Sequence, residues 1–569
     1  MTGLLIKGGL VVDGTRAPAH SADIRIQHGR IREIGPNLAA NDEQIIDASG
    51  SVVAPGFIDT HTHFDATIYW DPRCDPMAQH GVTTVVIGNC SLGLAPIRKE
   101  DRKTHIDTFS YIEDMPGDLL NSVIPWDWEK YPDYTRSLDR TALGLNMVSF
   151  VGHSQIRIWV MGDAAWERTA TQEEITAMVA ELEVALQAGV HGLSFSLFDK
   201  DRQGRPVPSR FADAAELDAL CAKLGEHGAV LQFIPGHSTE AIIEHLQWVG
   251  TFLARHKVTG LYNAMIHLDP EPDRSYRTVA CLEELHAKGA HIWAMVSTRP
   301  FELRVDFEQS ICFINVPAWN ELVQAPLERK RELVNDRAWR ERARSDTETH
   351  YSPMFPFHRP QPIRIISAGN AQLKPWIGRS IADLVTARGA HISDVLADWA
   401  RENDFETSFI VPVGNSDPND VARLLLSPVT FISGADAGAH LQMFCGVGDS
   451  TLLLTRYVRE RGDFSLEDAI HALTGKQAKL LGLSDRGTLE PGKAGDIVVF
   501  ALDELSYGTE KLVNDLPGGR TRFTRDPGGF RYTIVNGVVV QAHGKSTGEL
   551  PGGRVSKVPR VSTRERVSK

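Results

Sequence analysis

This sequence has few cysteines, no long apolar run and no cluster of basic residues. Its six cysteines are scattered through 569 residues without paired spacing, which favours reduced thiols in a cytoplasm over a disulfide framework. No run of about 18 apolar residues is present, so we expect no membrane span. The 60 basic and 73 acidic residues give a formal net charge of −13 without a basic block. We therefore expect neither nucleic acid nor a membrane surface as a partner.

Two common signatures of catalysis are also missing. The stretch GVGDS at 446–450 has neither the lysine nor the spacing of a phosphate-binding loop. No G-x-S-x-G motif stands at a predicted strand-to-helix turn, so a Ser/His/Asp triad is not indicated. The residues that carry chemistry have to be sought elsewhere in the chain.

The two ends of the chain resemble each other and differ from its middle. Residues 3–54 and 486–545 contain short Val- and Ile-rich runs separated by glycine-containing turns, a pattern typical of strands and hairpins. Asn536-Gly537 between two such runs indicates a tight hairpin turn. Because chain ends often lie close together, we predict one small β-sandwich domain from residues 1–54 and 486–569. Two unrelated β appendages are the alternative.

The middle of the chain alternates apolar runs with amphipathic helical patterns, which is typical of a parallel sheet. Eight candidate strands lie at 57–63, 83–90, 146–153, 191–198, 229–236, 261–267, 291–297 and 429–437. The sequence therefore predicts an α/β fold, a (β/α)₈ TIM-like barrel over residues 55–485. The interval 300–390, between the seventh and eighth strands, is too long for a simple crossover. We predict a helical insertion there, or a lid over the barrel mouth.

His61 and His63 end the first predicted strand. Residues two apart on a strand point to the same face, and active sites of barrels lie at the C-terminal strand ends. Two neutral imidazoles side by side can chelate a metal ion. A surface histidine pair is the alternative, but the position directly after an apolar strand favours a metal site.

Four motifs resemble the amidohydrolase superfamily. PGFIDTHTHFDA (55–66) resembles its first-strand signature, and GVTTVVIGNCSLGLAP (81–96) resembles the D-aminoacylase branch, the N-acyl-D-amino-acid deacylases. FVGHSQIRIWVMG (150–162) and SGADAGAH (433–440) are similar to that branch in place and order. The resemblance covers essentially the whole chain. It implies a metal-dependent hydrolase of C–N bonds other than peptide bonds, acting on a small-molecule amide.

The resemblance also implies a ligand set for one or two zinc ions. His61 and His63 would bind one ion, and Cys90 would ligate or bridge in place of the carboxylated lysine of other branches. His267 matches the family's sixth-strand histidine ligand. Asp436 matches the aspartate beside the metal and its water, which acts as general base and then acid.

The chain departs from the family pattern where the family binds its substrate. The fifth strand, AVLQFIPG, has no histidine, and His267 precedes Leu268-Asp269 instead of the family's Leu-Lys. In the family, that lysine holds the carboxylate of the substrate. Arg299 and Arg157 are candidates to replace it, or are ordinary salt-bridging arginines. The substrate therefore need not be an N-acyl-D-amino acid. Another amide, a carbamate, a cyclic imide or a lactone is the alternative.

Two further histidines stand near predicted strand ends. His153 is a candidate for substrate contact or for stabilising the oxyanion, or makes a structural hydrogen bond. His440 is a candidate to orient Asp436 or to bind substrate, or caps the loop. We also expect a homo-oligomer. A non-catalytic scaffold on the same fold is the second alternative, although such relatives normally lose their metal ligands.

Overall fold

Segments from both ends of the chain form one nine-stranded sheet in the computed structural model, which describes residues 3–307, 310–352 and 354–557. The first end contributes β1 (Leu4–Val11), β2 (His20–Gln27), β3 (Arg30–Gly35), β4 (Gln44–Asp47) and β5 (Val52–Pro55). The other end contributes β17 (Ile497–Phe500), β20 (Tyr532–Val535), β21 (Val538–Ala542) and β22 (Lys545–Ser546). Antiparallel pairing of β5 with β17 joins the two ends.

Local sequence explains much of this sheet. Asn536 and Gly537, between β20 and β21, have φ values of 47° and 77°, as the predicted tight hairpin turn requires. A separate hairpin of β18 (Glu510–Leu516) and β19 (Arg520–Arg525) is inserted between β17 and β20. The predicted terminal segments also include residues 1–2 and 558–569, which lie outside the described residues.

Eight parallel strands form the barrel predicted for the middle of the chain. They are β6 (Phe57–Asp59), β7 (Val82–Ile87), β8 (Asn146–Gly152), β9 (Gly192–Ser196), β10 (Val230–Ile234), β11 (Thr259–Tyr262), β12 (Ile292–Val296) and β16 (Thr430–Ile432). Each overlaps one of the eight predicted runs, and neighbours in the sheet follow chain order. The first and last strands meet just beyond their C-terminal ends, where His63 N donates to Ala437 O at 2.8 Å.

Helices surround this barrel. The connection from β7 to β8 carries α1 (Arg102–Ile112), α2 (Gly117–Val123) and α3 (Tyr131–Arg140). The next crossovers carry α4 (His153–Met161), α5 (Gln172–Gln187), α6 (Ala214–Glu226), α7 (Thr239–His256) and α8 (Pro272–Ala287). After β16 follow α15 (Asp449–Leu452), a π-helical segment (Leu453–Glu460), α16 (Leu466–Leu473) and α17 (Gly475–Leu481). In α7, Ile242, Leu246, Val249 and Leu253 are buried, a spacing that turns one apolar stripe towards the barrel.

The segment between β12 and β16 is longer than predicted and only partly helical. Its helices are α9 (Pro317–Gln324), α10 (Leu327–Leu333), α11 (Arg337–Thr349), α12 (Ile381–Arg388), α13 (Ile392–Glu402) and α14 (Pro418–Leu425). It also contains an antiparallel sheet in which β15 (Thr407–Gly414) lies between β13 (Phe301–Asp306) and β14 (Arg364–Ala368). The predicted helical insertion at 300–390 therefore misses β15. Local periodicity did not reveal a strand whose partner β13 lies about a hundred residues earlier in the chain.

This insertion has a hydrophobic core of its own, which includes Trp319, Trp339 and Phe409. Its edge residues Phe301, Leu303 and Met354 face the barrel mouth and line the cavity there. Within the described part of the chain, no helix combines the length and apolarity needed to cross a membrane.

Candidate metal centre

Four side chains meet where three barrel strands end. His61 and His63 follow β6, Cys90 follows β7, and Asp436 follows β16. The loops that carry them are tied to their neighbours: Asp436 N donates to His61 O at 3.1 Å, and Cys90 N donates to Gln232 Oε1 at 3.0 Å. Cys90 and Asp436 have φ values of 56° and 57°, a left-handed conformation uncommon for such residues. The backbone thus turns back at both strand ends and directs both side chains into the barrel mouth.

The donor atoms of this cluster lie at the mutual distances of metal ligands. His61 Nε2 is 3.3 Å from His63 Nε2, and Cys90 Sγ is 3.4 and 3.6 Å from these two atoms. Asp436 Oδ1 is 3.5 Å from His61 Nε2 and 3.3 Å from His63 Nε2. Ideal tetrahedral zinc separates two ligand nitrogens by about 3.3 Å and a nitrogen from a sulfur by about 3.5 Å. The donor atoms of His61, His63 and Cys90 therefore fit a zinc ion, and Asp436 Oδ1 lies at ligand distance from both histidines.

Burial and neighbouring charges together set the pKa values of these groups. Burial lowers the pKa of His63 to about 4, so its ring is neutral at pH 7 and able to bind a cation. Burial acts against ionisation of Asp436, but the contacts with His61 and His63 outweigh it and keep its pKa well below the usual value. Burial and nearby carboxylates raise the pKa of the Cys90 thiol. A bound cation reverses that effect, since metal coordination deprotonates a thiol.

Glu113 and His440 adjoin the cluster. Glu113 Oε1 is 3.4 Å from His63 Nδ1, and His440 Nε2 is 3.7 Å from Asp436 Oδ2. His440 N donates to Glu113 O at 2.6 Å, which holds the two loops together. Burial and the neighbouring Asp436 raise the pKa of Glu113 well above its ordinary value. Sequence reasoning missed Glu113 because it follows α1, away from any strand end, in a segment without a recognisable motif.

His267 does not join the cluster, so its predicted role as a ligand is corrected. Its Nδ1 lies 2.9 Å from Ser275 Oγ, and its Nε2 lies 3.4 Å from Asp420 Oδ2. Strand β11 ends at Tyr262, five residues before His267, so Asn263 occupies the strand-end position. Asn263 Nδ2 is 3.2 Å from His61 Nε2 and 3.8 Å from Cys90 Sγ.

His153 and Arg157 lie in a buried ionic cluster instead of the barrel mouth. His153 Nε2 is 2.7 Å from Glu216 Oε1, and its Nδ1 is 3.0 Å from Ser209 Oγ. Arg157 pairs with the other oxygen of Glu216 and donates to Arg168 O at 2.8 Å. Both side chains are fully buried, and neither lines the cavity at the cluster. Their predicted roles as catalytic and substrate-binding residues are corrected.

Arg299 braces the loop after β16. Its guanidinium donates to Ala435 O at 2.9 Å and to Cys445 O at 3.3 Å, and its Nε is 3.3 Å from Asp449 Oδ2. These contacts turn it away from the cavity, so its predicted role as a carboxylate clamp is also corrected. Of the three residues predicted to bind substrate, only His440 lines the cavity at the cluster.

The cluster forms the floor of a cavity of about 190 Å³. Its walls are mainly apolar and come from the barrel and the insertion; they include Ile112, Phe198, Ile234, Phe301, Leu303, Met354 and Phe444. Asp199 is a further acidic group on this wall, and burial raises its pKa to about 6. The arrangement provides a cavity with largely apolar walls over a compact set of candidate metal donors.

Comparisons with known proteins agree with this geometry. The amidohydrolase family matches residues 44–271 and 381–541. An uncharacterized protein of Mycobacterium tuberculosis is 30% identical, with 97% of this chain and 93% of that protein covered. The N-acyl-D-aspartate deacylase of Alcaligenes xylosoxydans xylosoxydans is 28% identical, with 87% of this chain and 85% of that protein covered.

A solved structure is similar over almost the full length. It is N-acyl-D-glutamate deacylase from Bordetella bronchiseptica, complexed with zinc and a phosphonate inhibitor that mimics the tetrahedral intermediate of the reaction. The TM-score is 0.68 at 25% identity, with 98% of this chain and 99% of that chain covered.

Proposed function

Because this chain belongs to the amidohydrolase family, we propose that it is a metal-dependent hydrolase of amide bonds, of the N-acyl-amino-acid deacylase type. The observation that carries this proposal is the convergence of His61, His63, Cys90 and Asp436, whose donor atoms lie 3.3 to 3.6 Å apart in the measured pairs. Relatives named as deacylases, and the zinc in the similar solved structure, support the same chemistry.

We propose that these four residues hold a single zinc ion. Imidazole nitrogens and a thiolate suit zinc better than magnesium or calcium, which prefer oxygen. A second set of donors, His63, Glu113 and Asp436, adjoins the first but shares His63 and Asp436 with it, and His267 is turned away from the cluster. On the fifth strand Gln232 is engaged by the backbone of Cys90.

The two carboxylate oxygens of Asp436 have different proposed roles: Oδ1 would bind the metal and Oδ2 would transfer the proton. Oδ1 faces His61 and His63, and Oδ2 faces His440. Zinc bound at the cluster would lower the pKa of a coordinated water and polarise the amide carbonyl. Asp436 is ionised, so Oδ2 can accept a proton from water and return it to the leaving nitrogen. His440 Nε2 lies 3.7 Å from that oxygen, and most of the cavity wall is apolar.

The proposed reaction is tested by a hydrolysis screen of the full-length protein. The screen compares N-acyl-D-amino acids, their L-enantiomers and carboxylate-free amides, each with and without a chelator. We expect hydrolysis of at least one class, its loss with chelator and its return when zinc is added. Purified protein with less than about a tenth of an equivalent of metal, and no hydrolysis, would instead favour the scaffold alternative. Hydrolysis of lactones or cyclic imides alone would favour the alternative substrates.

A further inference from the structure

A second cavity adjoins the metal cavity. It encloses about 210 Å³. The two cavities share Phe198, Ile234, Asn263, Ala264, Phe301 and Met354 as walls. Most other walls of the second cavity are apolar and include Ile242, Met265 and Val413. A substrate whose amide lies at the metal cluster therefore has an apolar space for one of its two arms.

Arg274 lines this second cavity and is only 8% exposed. It lies in the first turn of α8, next to Ser275, which His267 holds in place. The nearest charged contact of its guanidinium is Glu271 Oε2, at 3.8 Å. Across the described residues, the buried Nε atom has no hydrogen-bond partner.

The Nε atoms of Arg157 and Arg299 also lack a hydrogen-bond partner among the described residues, but the terminal nitrogens of these two arginines are hydrogen-bonded. Arg157 has a contacting carboxylate and a backbone carbonyl, and Arg299 has two backbone carbonyls. A guanidinium carries five N–H donors and stays charged, so burial without acceptors is unfavourable. Arg274 is therefore poised for an acceptor that the described side chains do not supply.

We propose that Arg274 binds a carboxylate at the end of an apolar arm of the substrate. The inference rests on the proposed function and narrows its substrate class to amides that carry such an anionic arm. The guanidinium matches a carboxylate in shape and charge. Glu271 lies 3.8 Å away and already offsets the charge of Arg274, so a bound monoanion leaves a net charge of −1 and a dianion would be repelled.

The first test measures equilibrium binding of octanoate and of octan-1-ol to the full-length protein by calorimetry. The two probes differ in the charged group at the end of the same apolar chain. We expect wild-type protein to prefer octanoate, and Arg274→Gln to weaken octanoate binding by about 10- to 100-fold. Octan-1-ol should bind both proteins equally. Arg274→Lys keeps the charge and should show an intermediate loss.

Arg277→Gln is the matched control. Arg277 lies on the same helix, is half exposed and pairs with Glu240, so its replacement should leave octanoate binding unchanged. Octanoate binding that is the same in Arg274→Gln as in wild type overturns the inference, and so does equal binding of both probes to wild type. If a metal ion and not Arg274 holds octanoate, its binding will be the same in Arg274→Gln as in wild type.

A kinetic test separates this inference from the proposed function. Suberic acid monoanilide and octananilide present the same scissile bond, with and without a terminal carboxylate. We expect Arg274→Gln to raise KM for the acid and to leave octananilide unchanged. If no amide is hydrolysed but octanoate binding still depends on Arg274, the hydrolase proposal fails and the anion site stands. Hydrolysis of the acid that is indifferent to Arg274 overturns the inference and leaves the hydrolase proposal intact.

Discussion

At the scale of single residues, the proposed chemistry depends on where the carboxylate oxygens of Asp436 and Glu113 point. Asp436 presents one oxygen to the two imidazoles and the other to His440. In the proposed reaction, this division would separate metal binding from proton transfer within one side chain. Glu113 Oε1 lies 3.4 Å from His63 Nδ1, and neither atom has a hydrogen-bond partner among the described residues.

Replacing Asp436 tests the proton-transfer role. Asp436→Asn keeps an oxygen for the metal but cannot accept the proton, so we expect bound zinc to remain and kcat to fall by about 10²- to 10⁴-fold. Zinc content and turnover are measured on the same preparation. Turnover equal to wild type would remove Asp436 from the mechanism.

Cys90 is compared with another buried cysteine. We expect Cys90→Ala to lose bound zinc, because the thiol lies within 3.6 Å of both histidine nitrogens. Cys281→Ala removes a buried cysteine of the barrel exterior and should retain zinc. Metal analysis after dialysis checks both variants, and full zinc in Cys90→Ala would contradict the proposed ligand set.

The sequence motif implies that His267 is a metal ligand, whereas the structure places its ring away from the cluster. His267→Gln should keep its zinc, since the ring contacts Ser275 and Asp420. His61→Gln should lose it. Metal analysis and circular dichroism of both variants give the answer. A folded His267→Gln protein without zinc would restore the role that the motif implies.

Buried polar contacts join elements of the fold, and one cluster of them links α4 and α6 to the loop that carries Cys90. His153 and Arg157 of α4 meet Glu216 of α6. Ser209 Oγ connects His153 to Ser91 Oγ at 3.0 and 2.7 Å. Ser91 follows Cys90 directly. The cluster therefore supports the loop that carries the thiol, although it does not reach the cavity.

The buried pair of Arg157 and Glu216 is tested by comparing the free energy of unfolding of a single and a double variant with that of wild type. Glu216→Gln leaves Arg157 buried without its counter-ion, and we expect a loss of about 3–5 kcal/mol in the free energy of unfolding. Replacing both Arg157 and Glu216 by Met removes the pair together and should recover most of that loss. Denaturant titrations compare the three proteins. A double variant less stable than Glu216→Gln would show that the pair itself stabilises the fold.

The whole molecule combines a barrel, a sheet from both chain ends and an insertion that covers the barrel mouth. Phe301, Leu303 and Met354 from the insertion complete the cavity that the barrel strands begin. The cytoplasmic location and the homo-oligomer indicated at the outset stay predictions. The proposed metal site joins loops after β6, β7 and β16, so metal binding should stabilise the closed barrel.

Metal removal tests this link at the level of the whole protein. We expect a chelator to lower the midpoint of thermal unfolding, because free zinc at 100 times Kd stabilises a folded protein by about 2.7 kcal/mol. Activity and melting temperature should return together when zinc is added. The Cys90→Ala protein is the control, and its melting temperature should not respond to the chelator. An unchanged wild-type midpoint would contradict a site that bridges these loops.

The sequence by itself determined the eight barrel strands, the paired chain ends and the core of the site. Apolar runs and turn residues are local signals, and residues two apart on a strand necessarily share a face. His61 and His63 could therefore be placed together without coordinates. Cys90 and Asp436 were located by resemblance, and the structure brings both to the same point.

Only the tertiary structure decided which other side chains reach that point. His267, Arg157 and Arg299 have the right residue types and stand near strand ends, yet each is bound elsewhere. Asn263, Glu113 and Arg274 line the cavities without any motif. Side-chain directions beyond a strand end depend on where the strand stops and on partners distant in the chain, and neither is encoded in local periodicity.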